Sequence, residues 1–209
     1  MGYNVIIMLT NHFKIKQWLD EQDIKNYTIR PDGVVDVDGS VGLGNFTGTT
    51  LPIQFGEVTQ QFFANQKTLT SLKGMPHKVG LSFCCYSPKL TSLEGAPQFV
   101  GAAFDCSDTS ITSLKGAPPI VNGGLYCYNT KIKSLSGTDK IIKHIGEEIV
   151  FGNHVTHILG LLLIEGIQGF DVHGDNVITK IMNRYVGTRD ILSAQDELID
   201  AGFIDQARL

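Results

Sequence analysis

The chain has 209 residues, with 17 Lys and Arg set against 21 Asp and Glu and an apolar share of 42%. A chain of this length has room for one domain or one elongated array with a substantial core. The net charge of −4 argues against a nucleic-acid binder held by a general basic excess, so any phosphate contact must be local.

The opening stretch MGYNVIIML carries neither a positive n-region nor a small-residue cleavage site, and Ile6 stands where a myristoylation signal wants Ser or Thr. No run of 18 or more apolar residues occurs, and HILGLLLIEGI is too short to span a bilayer. The expected location is therefore the cytoplasm, with no membrane partner. NHFKIKQWLDEQ begins with Asn11 as a helix N-cap candidate and spaces Phe13 and Trp18 for one helical face. In YTIRPDGVVDVDG, β-formers flank a Pro-Asp-Gly turn, which predicts a hairpin. Together these read as an amino-terminal cap over residues 1–34.

From there a sentence repeats: LTSLKGMPHKVGLSFCCYSPK, LTSLEGAPQFVGAAFDCSDTS, ITSLKGAPPIVNGGLYCYNTK, each 21 residues long. Aligned on that step, Leu72, Leu93, Leu114 and Leu135 form one column, Val58, Val79, Val100 and Val121 another, and Phe62, Phe83, Phe104 and Leu125 a third. A fixed period in this range predicts a solenoid whose coils bury their apolar edges against one another. The pattern reaches back to Val37, Val41 and Leu43, and forward, with a slip of three residues, to Ile145, Ile149 and Phe151. An insertion near 138–144 accounts for the slip, and the solenoid is assigned to 35–170. Cys85, Cys106 and Cys127 share a column and are expected to be small buried hydrophobes rather than metal ligands or disulfide partners. Alternation at Phe104 and Cys106 predicts a short strand, the strands stacking in parallel, while the opposite side around KGAPPIV runs extended or as a tight turn.

After residue 170, Ile178, Ile181, Met182 and Tyr185, then Ile191, Leu192, Leu198 and Ile199, recur at helical spacing. Two helices are expected, about 176–186 and 189–200, the second capped by Thr188 after Gly187, with a short third after Gly202. These make 171–209 a carboxyl-terminal helical cap.

The units LTSLKGMP, LTSLEGAP and ITSLKGAP, each followed by Val, a Phe or Leu strand and Cys, resemble the leucine-rich-repeat-like arrays of accessory proteins of tailed bacteriophages. They are more distantly similar to the short leucine-rich repeats of bacterial effector proteins. The resemblance covers about residues 35–160 and implies a leucine-rich-repeat-like solenoid capped by helices at both ends, with a β-helix of similar coil length as the alternative. It also implies an accessory viral protein in the cytoplasm of an infected bacterium that binds and modulates a host protein. The chain departs from the leucine-rich family where an asparagine ladder belongs: Pro88, Thr109 and Thr130 stand there, and Pro88 has no N–H to donate.

Few residues point to chemistry. His154 and His157, with His173 and Asp175, can be written as metal-ligand spacings, but they fall in what reads as a repeat coil and are taken as surface side chains, with no metal and no cofactor expected. Cys106 and Asp108 spell the C-x-D of effector ubiquitin ligases, yet the motif lies inside the repeat and no ligase domain follows. Cys84 is expected to be the more exposed thiol, without a base to activate it. Glu147 and Glu148 are adjacent and expected on opposite faces of a strand. No nucleotide loop or nucleophile elbow occurs, and a non-enzymatic role is expected.

With Phe104 and Cys106 inward, Asp105 and Ser107 are expected outward, and the same offsets expose Cys84, Tyr86, Tyr126 and Tyr128. Tyr86, Asp105, Ser107, Tyr126 and Tyr128 are the candidate partner-binding set, because tyrosine on a rigid sheet offers large contact area at low entropic cost. Covering the sheet by cross-strand packing is the other reading of these rings. Lys131, Lys133, Lys140 and Lys143, with His144, form a candidate anion-binding run, although a mixed charge run is more often a solvated face and that reading is favoured here. The functional expectation is a protein–protein interaction module, with a small-ligand or nucleotide sequestering protein and a self-assembling structural component as alternatives.

Overall fold

The computed structural model describes Met8 and residues 11–209; most of the stretch examined for leader and acylation signals lies outside the described residues. Helix α1 spans His12–Glu21, and the Asn11 side chain caps it by accepting the Phe13 and Lys14 N–H groups at 2.9 and 3.4 Å. The buried stripe is Ile15 and Leu19, one turn apart, with Trp18 edge-on to Phe46 and Phe55. Phe13 is 75% exposed, so the expected Phe13–Trp18 face is corrected: position 13 looks away from the first coil while Trp18 lies at the stripe's flank. The hairpin forms as expected, Tyr27–Ile29 pairing antiparallel with Val35–Val37, and Gly33 supplies the positive φ of 85° that its turn requires.

Seven turns of a parallel β-solenoid follow. The first six each contribute one strand to each of two sheets, the seventh contributes a strand to the second sheet alone, and the amino-terminal hairpin strand completes the first, so that both sheets have seven strands. The first, here the valine sheet, stacks Val35–Val37, Phe55–Val58, Lys78–Val79, Phe99–Val100, Ile120–Val121 and His144–Ile145, with Tyr27–Ile29 at its edge. The second, the phenylalanine sheet, stacks Val41–Gly42, Phe62–Phe63, Phe83–Cys84, Phe104–Asp105, Leu125–Tyr126, Glu148–Gly152 and Gly169–His173. The columns read from the sequence are ladder partners: Val37 with Val58, Val58 with Val79, Val79 with Val100, and Phe62 with Phe83 with Phe104. The three-residue slip is also present, Val121 pairing with Ile145 and Leu125 with Ile149, and the short helix α2, Thr138–Ile141, takes up the extra length.

The strand across from the phenylalanine sheet is what distinguishes this coil from one with a single β-face. Lys78–Val79 and its equivalents run extended, as expected there, and they also pair coil to coil. The corner between the two sheets is tight: a Cβ on Gly101 would lie 2.0 Å from the Gly80 carbonyl oxygen of the preceding coil. Inside, the rings of Phe62, Phe83 and Phe104 stack at 5.7 and 5.6 Å, and the valine, leucine and cysteine columns fill the remaining core. Thr109 and Thr130 donate to the Cys106 and Cys127 carbonyls of their own coils, where an asparagine ladder was not available.

The last strand runs to His173, past the boundary drawn at 170. Helices α3, Asn176–Tyr185, and α4, Ile191–Asp200, cover this end, capped by Asp175 and Asp190. Asp190, not Thr188, caps α4, and the residues after Gly202 form turns rather than a third helix. Among the described residues no helix is long and apolar enough to cross a membrane.

Candidate functional site: the outer face of the phenylalanine sheet

Parallel pairing brings equivalent residues of successive coils side by side. On the outer face, one row runs Cys84, Asp105, Tyr126, Val150, Asp171. Two residues further along each strand, the next row runs Tyr86, Ser107, Tyr128, Gly152, His173, and two residues earlier stand Ser82, Ala103, Gly124, Glu148 and Gly169. Small residues alternate with large ones across these rows. Between them lies a depression of about 540 Å³ lined by Cys84, Asp105, Tyr126, Tyr128, Glu148, Asp171 and His173, among others.

The tyrosines are held, not loose. The Tyr126 ring lies over Gly124, where an added Cβ would come within 2.7 Å of the phenol oxygen, and its hydroxyl reaches Glu148 Oε1 at 3.4 Å. Tyr128 packs against the His173 ring, centroids 5.5 Å apart. The Tyr86 hydroxyl donates to Asp105, whose carboxylate also accepts the Ser107 N–H at 3.0 Å. Burial, with Asp105 beside it, raises the Tyr86 phenol, and burial with Glu148 raises Tyr126, so both remain neutral hydroxyl donors through the ordinary pH range. Burial, and then the Asp105 charge, pushes the Cys84 thiol up to about 11.

The expected set is therefore gathered except for one member. Tyr86, Asp105, Tyr126 and Tyr128 are half-buried on this face. Ser107 is a correction: it is fully buried, because it is the small residue in its row between two tyrosines, and its hydroxyl has no hydrogen-bond partner among the described residues. Three residues of the face were not assigned to it from the sequence: Glu148, Asp171 and His173. The signal was present, since the step from Val150 to Asp171 and from Gly152 to His173 is again 21 residues.

The lysines lie elsewhere. Lys131 and Lys133 are exposed on the third side of their coil, Lys140 is exposed in α2, and Lys143 follows α2 and donates its ammonium to the Asp139 carbonyl oxygen at 2.9 Å. His144 enters the valine sheet. The four lysines thus follow one coil around from the third side to the valine sheet. None lines the depression.

Histidine and cysteine chemistry is likewise dispersed. Asp175 is occupied as the α3 cap, His157 Nδ1 meets the Thr156 hydroxyl at 2.8 Å, and His173 belongs to the tyrosine face. No group of three or more His, Cys, Asp or Glu side chains is placed to share an ion among the described residues. Cys85, Cys106 and Cys127 are buried free thiols whose Sγ atoms point to the Asp105, Tyr126 and Val150 carbonyl oxygens at 3.5, 3.4 and 3.4 Å. Burial raises all three, Cys127 to about 12, which leaves them inert as nucleophiles. Glu148 faces out from its strand, whereas Glu147 stands at the preceding corner, so the pair shares no site.

No protein-family model, curated protein or solved structure matches the chain.

Proposed function

We propose that this solenoid is a non-enzymatic binding module that captures another protein on the outer face of the phenylalanine sheet. In keeping with the phage-like repeat, the proposed partner is a protein of a bacterial host, modulated by being bound in the host cytoplasm. The observation that carries the reading is the depression itself, lined by Tyr126 and Tyr128, with Tyr86 beside it on the same face, all three fixed by hydrogen bonds or ring packing on a sheet that each coil buttresses. A face already ordered before binding loses little conformational entropy on contact, and tyrosine is among the residues that most often dominate interface energies. The carboxyl-terminal edge of the solenoid is covered by α3, which favours capture of a partner over end-to-end assembly through that edge.

The test is a folded double variant, Tyr126→Ala with Tyr128→Ala. Partners retained from a bacterial host lysate are identified, and the strongest is titrated by calorimetry against the parent and the variant, both checked by thermal melting. Loss of about tenfold or more in affinity is expected, since truncating one central aromatic anchor costs more than about 1 kcal/mol. Unchanged affinity in a folded variant sinks the reading. Weakening by Lys131→Gln, Lys133→Gln, Lys140→Gln and Lys143→Gln instead would move the site to the lysine run.

A further inference from the structure

The tyrosine face carries more charge of one sign than its neutral rings reveal. Asp105 and Asp171 stand in one row, Glu148 stands in the row beside them, and all three carboxylates line the same depression as Tyr126 and Tyr128. No Lys or Arg lines it. Each ion pair formed among the described residues lies elsewhere, so among those residues none of these three acids has a paired cation within 4.0 Å. Three acids and two aromatic faces held on a rigid sheet make a region of negative potential that nothing in the described chain neutralises.

We infer that the occupant of this face is an extended, basic segment of the partner protein, with two Lys or Arg side chains four residues apart. The inference rests on the binding role proposed above and specifies its chemistry. Strands stack at about 4.8 Å, so Asp105 and Asp171, three strands apart, are separated by about 14 Å along the solenoid axis. In an extended chain, side chains on one side recur every ~6.8 Å, so those at i and i+4 are separated by about the same distance. A segment running along the axis thus sets its first cation at Asp105 and its second at Asp171. The side chain between them falls over Tyr126 and Val150. Glu148 lies beside that midpoint, and the Tyr126 and Tyr128 rings add cation–π attraction that a neutral segment forgoes. Guanidinium suits the acid ends better than ammonium because its planar fork pairs with a carboxylate bidentately. An acidic or phosphorylated segment would meet like charge at Asp105, at Asp171 and at Glu148 beside the midpoint.

The experiment uses the full chain and three fluorescent peptides in a Gly-Ser background: one with Arg at i and i+4, one with Arg at i and i+2, and one with Gln at i and i+4. Anisotropy titrations are run with the parent protein, with Asp105→Asn plus Asp171→Asn, and with Asp171→Asn alone. The single change alters an exposed residue and guards against a folding defect in the double variant. Expected are binding of the i, i+4 Arg peptide at least about tenfold tighter than the Gln peptide, preference over the i, i+2 spacing, and about tenfold weakening in the double variant. Absence of saturable binding by the i, i+4 Arg peptide, equal binding of the Arg and Gln peptides, or binding indifferent to Asp171→Asn would each overturn the inference. A partner whose capture depends on Tyr126 and Tyr128 but not on Asp105 and Asp171 would overturn it too, while leaving the binding role standing. A partner indifferent to the tyrosines would end that role itself.

Discussion

Four cysteines in one repeat array have two environments, and the difference is set by a single step along the strand. Cys85, Cys106 and Cys127 point into the core, while Cys84, one residue earlier, is half-buried on the outer face beside Asp105. The column spacing was enough to assign the first three as core. It also marked Cys84 as the more exposed, but could not show how far burial and Asp105 suppress its ionisation. With the thiol pushed up to about 11, about one molecule in a thousand carries the thiolate at pH 8. Ellman's reagent is therefore expected to label no more than one thiol of the native protein, at a rate that climbs about tenfold per pH unit between pH 7.5 and 9.5, and four thiols in denaturant. A rate that levels off near pH 8.5 would mark an ordinary thiol and refute this account of the face around Asp105. Ser107 shows the limit of reading orientation from alternation: its register was right, but burial depended on the size of its neighbours in adjacent coils, which alternation along one strand does not encode.

At the scale of elements, the terminal strand Gly169–His173 presents a row of backbone groups with no further coil to receive them. Helix α3 meets that need with side chains. Asn183 accepts the Phe170 N–H at 2.7 Å and donates to the Phe170 carbonyl at 2.9 Å, as the next strand would, and the Thr179 hydroxyl accepts the Val172 N–H at 2.9 Å. Replacing Asn183 by Ala uncovers both Phe170 groups. The expected cost is about 1–3 kcal/mol, seen as a melting temperature several degrees lower, together with an apparent mass by light scattering that rises with concentration more than the parent's does. An unchanged melt and unchanged scattering would show that these hydrogen bonds do not hold the cap. The helices of this end were legible from their apolar spacing. Asn183 and Thr179 were not, because their role depends on a strand that the sequence reading ended at residue 170. The valine-sheet strands were missed because Gly and Pro precede them, as in KGAPPIV, and marked that side as an extended run or a tight turn, though their Val column was plain.

The whole molecule is close to one-dimensional, and this gives its energetics a form that a globular core would not have. Leu72, Leu93, Leu114 and Leu135 are all buried in one column, so each leucine packs against its equivalents one coil away and not against those three coils away. The spacing that made this column visible in the sequence is the same spacing that isolates distant coils from one another. Leucine to alanine at any of the four is expected to cost about 2–5 kcal/mol. The informative quantity is the coupling between two such changes. Leu93→Ala with Leu114→Ala joins neighbouring coils and opens one shared cavity, so the double variant should depart from the sum of the singles by about 0.5 kcal/mol or more. Leu72→Ala with Leu135→Ala leaves two coils between the sites, about 14 Å at a spacing of ~4.8 Å, and should add to within about 0.5 kcal/mol. Urea melts with matched slopes measure both cycles. Equal coupling in the two pairs would mean that strain travels along the stack, and that the tyrosine face is not the locally determined, rigid surface on which its proposed binding depends.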